Sequence, residues 1–136
     1  MAYRVYLVDD DRFLLDLYAV KFRAAGHETR VFGGGEELLA ALRKSDAVIP
    51  DAILLDLIMP GMGGFEVLEA IRKERLAKGA KIIILSNQGQ DSDIEKAKQL
   101  SVDGYIIKAS AIPSEVLAET LNTIEAGRAQ KPGEPR

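Results

Sequence analysis

The chain has 136 residues, of which 47% are hydrophobic and 29% charged, and this balance suits one folded domain with a buried core. Its net charge of −3 argues against a duplex nucleic-acid partner, and the lack of cysteine excludes disulfides and thiolate metal sites. The first apolar run is too short for a signal peptide and no run reaches membrane-spanning length, so we expect a cytoplasmic protein without membrane contact.

Short apolar runs alternate with longer amphipathic stretches along the chain, a pattern typical of a parallel sheet covered by helices on both faces. We predict strands at about 3–8, 27–32, 51–55, 81–85 and 105–108. A helix follows each strand; Asp11 is predicted to be the N-cap or a first-turn residue of the first, and the last begins near Pro113. We assign 1–126 to one domain and expect 127–136 to be a disordered tail, because this segment has nothing to bury.

Further local predictions concern individual side chains. Gly26 is placed to end the first helix with a positive φ, and His27 is predicted to be a surface residue of the second strand. The fourth helix has only a thin apolar stripe (Ile94, Ala97 and Leu100) and should be loosely held. Helical spacing predicts that the first helix faces the core through Leu14, Leu17, Tyr18, Phe22 and Ala25.

These elements define an α/β fold of five βα units, a doubly wound three-layer sandwich around a five-stranded parallel sheet. Right-handed crossovers leave few possible topologies for such a chain. Among them we predict the known doubly wound strand order 2-1-3-4-5, which places strands 1 and 3 at the switch point where ligands bind. Asp10 and Asp56 would then face each other across that point.

Charged residues follow three of the predicted strands. Asp9 and Asp10 follow the first strand, Asp56 follows the third, and Lys108 closes the fifth. Because the carboxyl ends of parallel strands share one edge of the sheet, we expect these groups to meet there. Carboxylates that close repel by roughly 4 kcal/mol per pair at ~4 Å and an effective dielectric of about 20. The cluster therefore calls for a cation, with room for a phosphoryl group between that cation and Lys108.

The residue types suit phosphoryl transfer. Asp56 is the candidate nucleophile, since a carboxylate can attack phosphorus and form an acyl phosphate. Asp9 and Asp10 would supply oxygens to Mg²⁺, which favours one or two carboxylates together with water and phosphate oxygens. Lys108 would hold a phosphoryl oxygen as a point charge, and Ser86, at the end of the fourth strand, could donate a hydrogen bond to another.

Taken singly, each of these residues has an ordinary structural interpretation. An Asp at a strand end is more often a helix cap or a solvated turn residue, Ser86 alone would be a loop residue, and Tyr105 alone a core or edge aromatic. The glycine run at 33–35 lacks the strand–GxGxxG–helix context of a phosphate loop. The functional interpretation depends on the acid pair, acid, hydroxyl and lysine following strands one, three, four and five in order.

In this arrangement the chain resembles the receiver domain of bacterial two-component response regulators, of the chemotaxis type that stands alone. Each motif is weak by itself, but the four together, in this order and spacing, are highly specific and span roughly residues 3–126. The matching segments are Val8-Asp9-Asp10, Leu55-Asp56-Leu57-Ile58-Met59-Pro60-Gly61-Met62-Gly63-Gly64, Ile84-Leu85-Ser86 and Gly104-Tyr105-Ile106-Ile107-Lys108.

The resemblance implies a role for each matching residue. Asp56 would be the phosphoacceptor, and Lys108 the lysine that accompanies it. Asp10 would bind Mg²⁺ directly and Asp9 largely through water, with Asp56 and the backbone carbonyl of Ile58 as further ligands. Ser86 and Tyr105 would form a switch pair, whose movement remodels the face made by the fourth helix, the fifth strand and the fifth helix.

The resemblance also implies partners. A sensor histidine kinase or a histidine phosphotransfer protein would supply the phosphoryl group, and a downstream protein would bind the remodelled face. We expect no enzymatic activity beyond self-catalysed transfer to Asp56 and its autodephosphorylation. No output domain is expected after residue 126, and the protein is expected to be a monomer or a weak homodimer.

The sequence departs from the family pattern at three positions. Ala109 follows the lysine where the family usually has proline, so we predict a trans bond, since a cis bond there costs about 2.5–4 kcal/mol. Asn87 is larger than the usual residue after the switch hydroxyl, and Ile58 places an apolar side chain two residues after the acceptor. We hypothesise that Asn87 and Ile58 slow the attack of water and lengthen the phosphorylated lifetime.

Three other functions remain as alternatives. A phosphatase of the haloacid dehalogenase type would use Asp9 as its nucleophile, although the chain has no cap insertion and no second acidic motif after the fourth strand. An unphosphorylated receiver-like domain could serve only as a protein-binding module. A flavin-binding module of similar topology would need a phosphate loop, which nothing here resembles.

Overall fold

The computed structural model describes residues 2–87 and 89–129. Its strands are β1 (Arg4–Val8), β2 (Glu28–Phe32), β3 (Ala52–Leu55), β4 (Lys81–Ser86) and β5 (Gly104–Ile107). Its α-helices are α1 (Arg12–Ala24), α2 (Gly35–Arg43), α3 (Gly64–Glu74), α4 (Asp91–Gln99) and α5 (Pro113–Ala129). A single 3₁₀ turn, Lys108–Ser110, lies between β5 and α5, so Lys108 follows the last strand instead of closing it.

All strands pair in parallel in the order β2-β1-β3-β4-β5, which confirms the predicted fold class and topology. Val8 of β1 lies beside Leu55 of β3, so the residues after both strands emerge as neighbours. Ser86, the last residue of β4, lies beside Ile107, the last residue of β5. The register therefore brings the polar residues that follow four strands to one edge of the sheet.

Side chains alternate between two cores, one on each face of the sheet. Leu7, Leu54 and Leu85 face α1 and α5, whereas Leu55 and Ile84 face α2, α3 and α4. Strands β1, β3 and β4 are buried on both faces, which explains their continuous apolar runs. At roughly 1.5–3 kcal/mol for each fully buried aliphatic side chain, these strands supply a rigid base for the loops that follow them.

The buried face of α1 differs from the predicted one. Tyr18 and Phe22 are buried as predicted, together with Leu15 and Ala19. Leu17, 43% exposed, and Ala25, also exposed, do not face the core. Leucines occupy both 14–15 and 17, so two overlapping stripes fit a helical period, and spacing alone cannot choose between them. The ends of the helix follow prediction: Asp11 accepts a hydrogen bond from the N–H of Leu14 at 3.1 Å, and Gly26 has a φ of +92°.

The prediction that His27 is a surface strand residue is wrong. His27 is buried, with 7% of its surface exposed, and it precedes β2. Its Nδ1 accepts a hydrogen bond from the backbone N–H of Tyr3 at 3.1 Å, and its ring stacks on that of Tyr3 with centroids 5.6 Å apart. The imidazole is buried because it satisfies a backbone donor that precedes the first residue of β1.

The boundary predicted at residue 126 is also corrected, because α5 continues through Ala129. Arg128 explains the extension: its guanidinium lies 2.5 Å from Asp51 Oδ1 and 5.2 Å from the centroid of the Tyr3 ring. A cation that pairs with an acid and an aromatic face can order a segment that buries little apolar surface. The remainder of the predicted tail, 130–136, lies outside the described residues.

Two further findings concern the whole described part of the chain. No cis peptide bond occurs in it, so the bond between Lys108 and Ala109 is trans, as predicted. None of its helices is long and apolar enough to cross a membrane.

Candidate functional site

Two buried aspartates stand side by side where β1 and β3 end. The N–H of Asp56 donates to the carbonyl of Val8 at 3.0 Å, and the N–H of Asp9 donates to that of Phe32 at 3.1 Å. Both residues thus continue the hydrogen-bonding ladder one step past their strands. Asp9 is 4% exposed and Asp56 6% exposed, which is rare for carboxylates without compensating partners.

A third carboxylate, that of Asp10, joins them from the solvent side. One carboxylate oxygen from each of Asp9, Asp10 and Asp56 lies within 4.8 Å of the others. Asp10 is exposed, so the cluster is buried on one side and open on the other. Oxygen donors alone, with an open side for water, are the ligand set that a hard divalent cation such as Mg²⁺ prefers.

Lys108 provides the positive charge of the site. Its Nζ lies 2.5 Å from Asp9 Oδ2 and 3.4 Å from Asp56 Oδ2, and its side chain is only 9% exposed. Burial by itself lowers the pKa of Lys108, but the hydrogen bond to Asp9 and the charges of Asp56 and Asp9 outweigh it. The net pKa is raised, so Lys108 stays an ammonium at neutral pH.

For Asp56, the effects that disfavour the charged form outweigh those that favour it. Burial raises the pKa of Asp56 and the neighbouring charge of Asp9 raises it further, while Lys108 and a hydrogen bond from Ser86 oppose both effects. The net pKa is above the ordinary aspartate value. A carboxylate whose ionised form is disfavoured by burial is stabilised by a bound cation.

The remaining predicted residues line the same cleft or border it. Ser86 is 1% exposed at the end of β4, within hydrogen-bond reach of Asp56. Ile58 (63% exposed) and Asn87 lie on the rim of the cleft, which measures about 330 Å³. Tyr105 lies on β5, outside this lining; it is half-buried against the core that includes α4 residue Ala97, and burial followed by the charge of Asp93 raises its pKa. The cleft is lined by Asp9, Asp10, Asp11, Leu14, Asp56, Ile58, Ser86, Asn87 and Lys108.

Gly64, the last residue of the loop segment that matches the family, has a structural role in the site that the sequence did not reveal. A Cβ at Gly64 would lie 2.3 Å from the carbonyl oxygen of Asp56 and 2.8 Å from Cα of Leu57. The N–H of Gly64 donates to the carbonyl of Leu57 at 2.8 Å, so α3 begins directly against the backbone of the buried acid. The glycine pair just before a predicted helix was the only available signal.

Asp11 orients the carboxylate of Asp9 on the side opposite Lys108. Its backbone N–H donates to Asp9 Oδ1 at 2.9 Å while its side chain caps α1. Asp9 therefore has one oxygen held by a backbone amide and the other by Lys108. Lys108 therefore lies closer to Asp9 than to Asp56, and Asp56 lines the cleft.

The sheet is doubly wound, and an acid cluster and a lysine lie at its carboxyl edge. These features are typical of proteins that bind metal ions or phosphate groups at the ends of their strands. Comparison with known proteins narrows this class to one family. Residues 5–121 match the response regulator receiver domain family, so this chain belongs to that family. The DNA-binding response regulator MtrA of Mycolicibacterium paratuberculosis is 33% identical over 118 residues, covering 87% of this chain and 49% of MtrA. PilH of Pseudomonas aeruginosa is 26% identical over 124 residues, covering 91% of this chain and 98% of PilH.

Solved structures give the same result. The chemotaxis protein CheY4 of Vibrio cholerae superposes with a TM-score of 0.79 at 25% identity, covering 90% of this chain and 99% of CheY4. A CheY-like receiver domain from Methanospirillum hungatei has a TM-score of 0.84 at 24% identity, covering 96% of this chain and all of that one, and supports the fold alone. The chain spans about half the length of MtrA.

Proposed function

We propose that Asp56 is the phosphoacceptor of this receiver domain and takes a phosphoryl group from a phosphohistidine. A carboxylate oxygen of Asp56 would attack phosphorus, the P–N bond to the donor imidazole would break, and that nitrogen would keep the electron pair. The product is an acyl phosphate on Asp56. The observation that carries this proposal is the unequal sharing of Lys108, which lies 2.5 Å from Asp9 and 3.4 Å from Asp56 and leaves Asp56 the freer nucleophile.

The acid cluster supports Mg²⁺ as the cofactor. Asp10, Asp56 and the backbone carbonyl of Ile58 would bind it directly, and Asp9 would act largely through water. When bound, Mg²⁺ would neutralise carboxylate repulsion and stabilise the negative charge that develops on the transferring group. Asp9 orients Lys108, and Asp11 holds Asp9 through its backbone N–H.

Lys108 and Ser86 would hold the product. The ammonium of Lys108 is buried and charged, so it can pair with a phosphoryl oxygen in a site that excludes most water. Ser86 would turn its hydroxyl hydrogen bond from the carboxylate to another phosphoryl oxygen. Phosphorylation adds roughly one negative charge, and a state in which both groups bind it better becomes more populated.

The switch and the partners are part of the same proposal. Ser86 and Tyr105 would form the switch pair, and the face made by α4, β5 and α5 would present the result to a downstream protein. Within α4 only Ala97 is buried, so this helix can shift at small energetic cost. A sensor histidine kinase or histidine phosphotransfer protein would be the donor, in the cytoplasm, with the domain a monomer or weak homodimer and its chemistry confined to Asp56.

The test is phosphorylation by a small donor. Wild type and Asp56→Asn would be incubated with acetyl phosphate, with Mg²⁺ or with excess EDTA, and weighed by intact-protein mass spectrometry. We expect one phosphoryl group on the wild type with Mg²⁺, and none on the variant or with EDTA. Equal labelling of Asp56→Asn would contradict the proposal.

The phosphatase alternative is not favoured by the site. Both oxygens of Asp9 are engaged, one by the N–H of Asp11 and the other by Lys108, and the residue is 4% exposed. Asp56 also contacts Lys108, but at the longer distance of 3.4 Å against 2.5 Å for Asp9, so it is the less tightly paired of the two acids.

A further inference from the structure

Helix α4 is held unevenly along its length. Ala97, in its C-terminal half, is the buried residue of the helix, and Leu100 and Val102 just beyond its end pack against the same core. The first turns carry Asp91, Asp93 and Glu95 and lie at the surface or only partly covered. Burial therefore fixes one end of the helix more firmly than the other.

The backbone at the C-terminal end of α4 adds to this difference. The N–H of Val102 donates to the carbonyl of Ala97 at 3.3 Å, and the N–H of Ser101 donates to that of Lys98 at 2.9 Å. Ser101 adopts the left-handed conformation with a φ of +61°. Together these bonds form a Schellman motif, which supplies hydrogen bonds to the last helical carbonyls and fixes the direction in which the chain leaves the helix.

Arg72 on α3 closes this end from outside. Its Nε donates to the carbonyl of Leu100 at 3.0 Å, and one of its terminal nitrogens donates to the carbonyl of Ser101 at 2.9 Å. A guanidinium in this position also faces the negative end of the α4 dipole. Its base is rigid, because α3 is anchored in the core by Val67, Leu68 and Ile71.

A second link from α3 reaches the same half of α4. The ammonium of Lys96 lies 4.6 Å from the centroid of the Phe65 ring and 4.0 Å from Glu69 Oε1. Each contact alone is weak, because the Lys96 and Glu69 side chains are half-exposed. Both contacts nevertheless act on the half of α4 that Arg72 already holds.

The N-terminal half of α4 instead borders the switch residues. The charge of Asp93 acts on the phenol of Tyr105. Gly89, just before the helix, lies so close to β5 that a Cβ there would be 2.8 Å from Cδ1 of Ile107, the residue preceding Lys108. A displacement of Lys108 or Tyr105 would therefore move the N-terminal half of α4 before it moves the C-terminal half.

We propose that Arg72 is a positioning residue that makes the C-terminal end of α4 a fixed pivot, so that only the N-terminal half of α4 follows the state of Asp56. This inference rests on the proposed function, since it needs a change of state at Asp56. It also specifies which part of the face made by α4, β5 and α5 a partner recognises, namely the surface formed by residues 91–95 and Tyr105.

The experiment is residue-resolved amide hydrogen exchange of the full chain, with and without Mg²⁺ and beryllofluoride, a mimic of a bound phosphoryl group. The variants are Arg72→Ala, Arg72→Lys and the control Lys73→Ala, which removes the same charge from the neighbouring position. In the wild type, beryllofluoride should change exchange at residues 91–96 and leave 97–102 unchanged. In Arg72→Ala, two hydrogen bonds from a charged donor are lost, and exchange at 100–102 should rise on the order of tenfold or more.

Arg72→Lys keeps one donor for one of the two carbonyls and should restore part of the protection, whereas Lys73→Ala should match the wild type. With beryllofluoride, the response of Arg72→Ala should spread over the whole of α4. Fluorine NMR of the bound mimic reports occupancy of Asp56 independently. Full occupancy with an even response along α4 in the wild type, or unchanged exchange at 100–102 in Arg72→Ala, would overturn the pivot alone; no occupancy of Asp56 would overturn the proposed function and the pivot together.

Discussion

The two edges of the sheet carry similar charges but arrange them differently. At the amino edge each acid has its own partners: Asp51 accepts the N–H of Arg4 at 2.8 Å and pairs with Arg128, and Asp103 accepts the N–H of Ile82 at 2.8 Å and lies 3.8 Å from Lys81. At the carboxyl edge, Asp9 and Asp56 share the ammonium of Lys108, and Asp10 adds a third carboxylate to the same cluster.

This difference separates a structural network from a functional one. The paired acids at the amino edge hold helix α5 and the strand ends in place, and their charges are already balanced by their own partners. The carboxyl edge is left with excess negative charge inside a cleft, which the fold tolerates because the strands beneath it are deeply buried. Such a site is stabilised by a bound cation, and the negative charge that phosphorylation adds gives it a second way to respond.

The largest expected effect is the loss of the shared ammonium. Lys108→Met leaves Asp9 and Asp56 buried without a counter-charge, and we expect it to destabilise the metal-free protein by about 3 kcal/mol. Arg128→Ala at the amino edge is the matched control and should cost no more than about 1 kcal/mol, because Arg128 is half-exposed. Urea unfolding at pH 7 measures both; equal costs would contradict the contrast between the edges.

The next largest effect comes from the backbone beneath the carboxyl edge. Gly64→Ala would force a methyl group against the carbonyl of Asp56, and we expect it to cost about 1–3 kcal/mol and to slow phosphorylation. Gly34→Ala is the control, because a Cβ at Gly34 would have nothing within 4 Å and the φ of −171° there suits any residue. Unfolding midpoints and acetyl phosphate labelling rates would separate the two variants.

The pH dependence of stability sharpens the comparison further. The pKa of Asp56 is raised in the folded protein, so between the ordinary aspartate value of about 3.9 and that raised value the folded state binds more protons than the unfolded state. Ionisation of Asp56 therefore reduces stability as the pH rises through this window. Asp56→Asn removes the penalty and should be more stable than the wild type at pH 7 without Mg²⁺.

That advantage should shrink as the pH falls through this window and vanish below the ordinary aspartate value, where Asp56 of the wild type is protonated in both states. Urea titrations of the two proteins in EDTA, at several pH values, provide the measurement. A constant difference between them, or a wild type that is more stable at pH 7, would show that the buried charge is already fully compensated.

The smallest expected effect concerns water at the cleft. Asn87 and Ile58 lie on its rim, and we predict that they shield an acyl phosphate at Asp56 from hydrolysis. Asn87→Ala should shorten the dephosphorylation half-life by a small factor without changing the unfolding free energy appreciably. A half-life that does not change would remove this hypothesis.

The strands and the residues that follow them could be predicted because their signals are local. A buried parallel strand has a continuous run of apolar residues in the sequence, and that run ends where the chain leaves the sheet. Right-handed crossovers leave few topologies, and choosing the known doubly wound order 2-1-3-4-5 among them is why Asp9, Asp56 and Lys108 could be expected to lie together.

What escaped prediction depends on contacts between distant segments. The face of α1 is chosen by the elements packed on it, the burial of His27 by a backbone donor at Tyr3, and the length of α5 by Asp51. Gly64 matters because it has no Cβ, and the glycine pair in the sequence does not reveal which backbone atoms lie against it. In each case the decisive partner is more than ten residues away or, for Gly64, eight residues away across a loop.

The most direct test of the central claim is the chemical location of the phosphoryl group. After incubation with Mg²⁺ and acetyl phosphate, borohydride reduction converts a phosphorylated aspartate into homoserine, and peptide mass spectrometry then identifies the position. The account predicts homoserine at position 56 and unmodified aspartate at positions 9 and 10. Homoserine at position 9, with Asp56 unmodified, would contradict it.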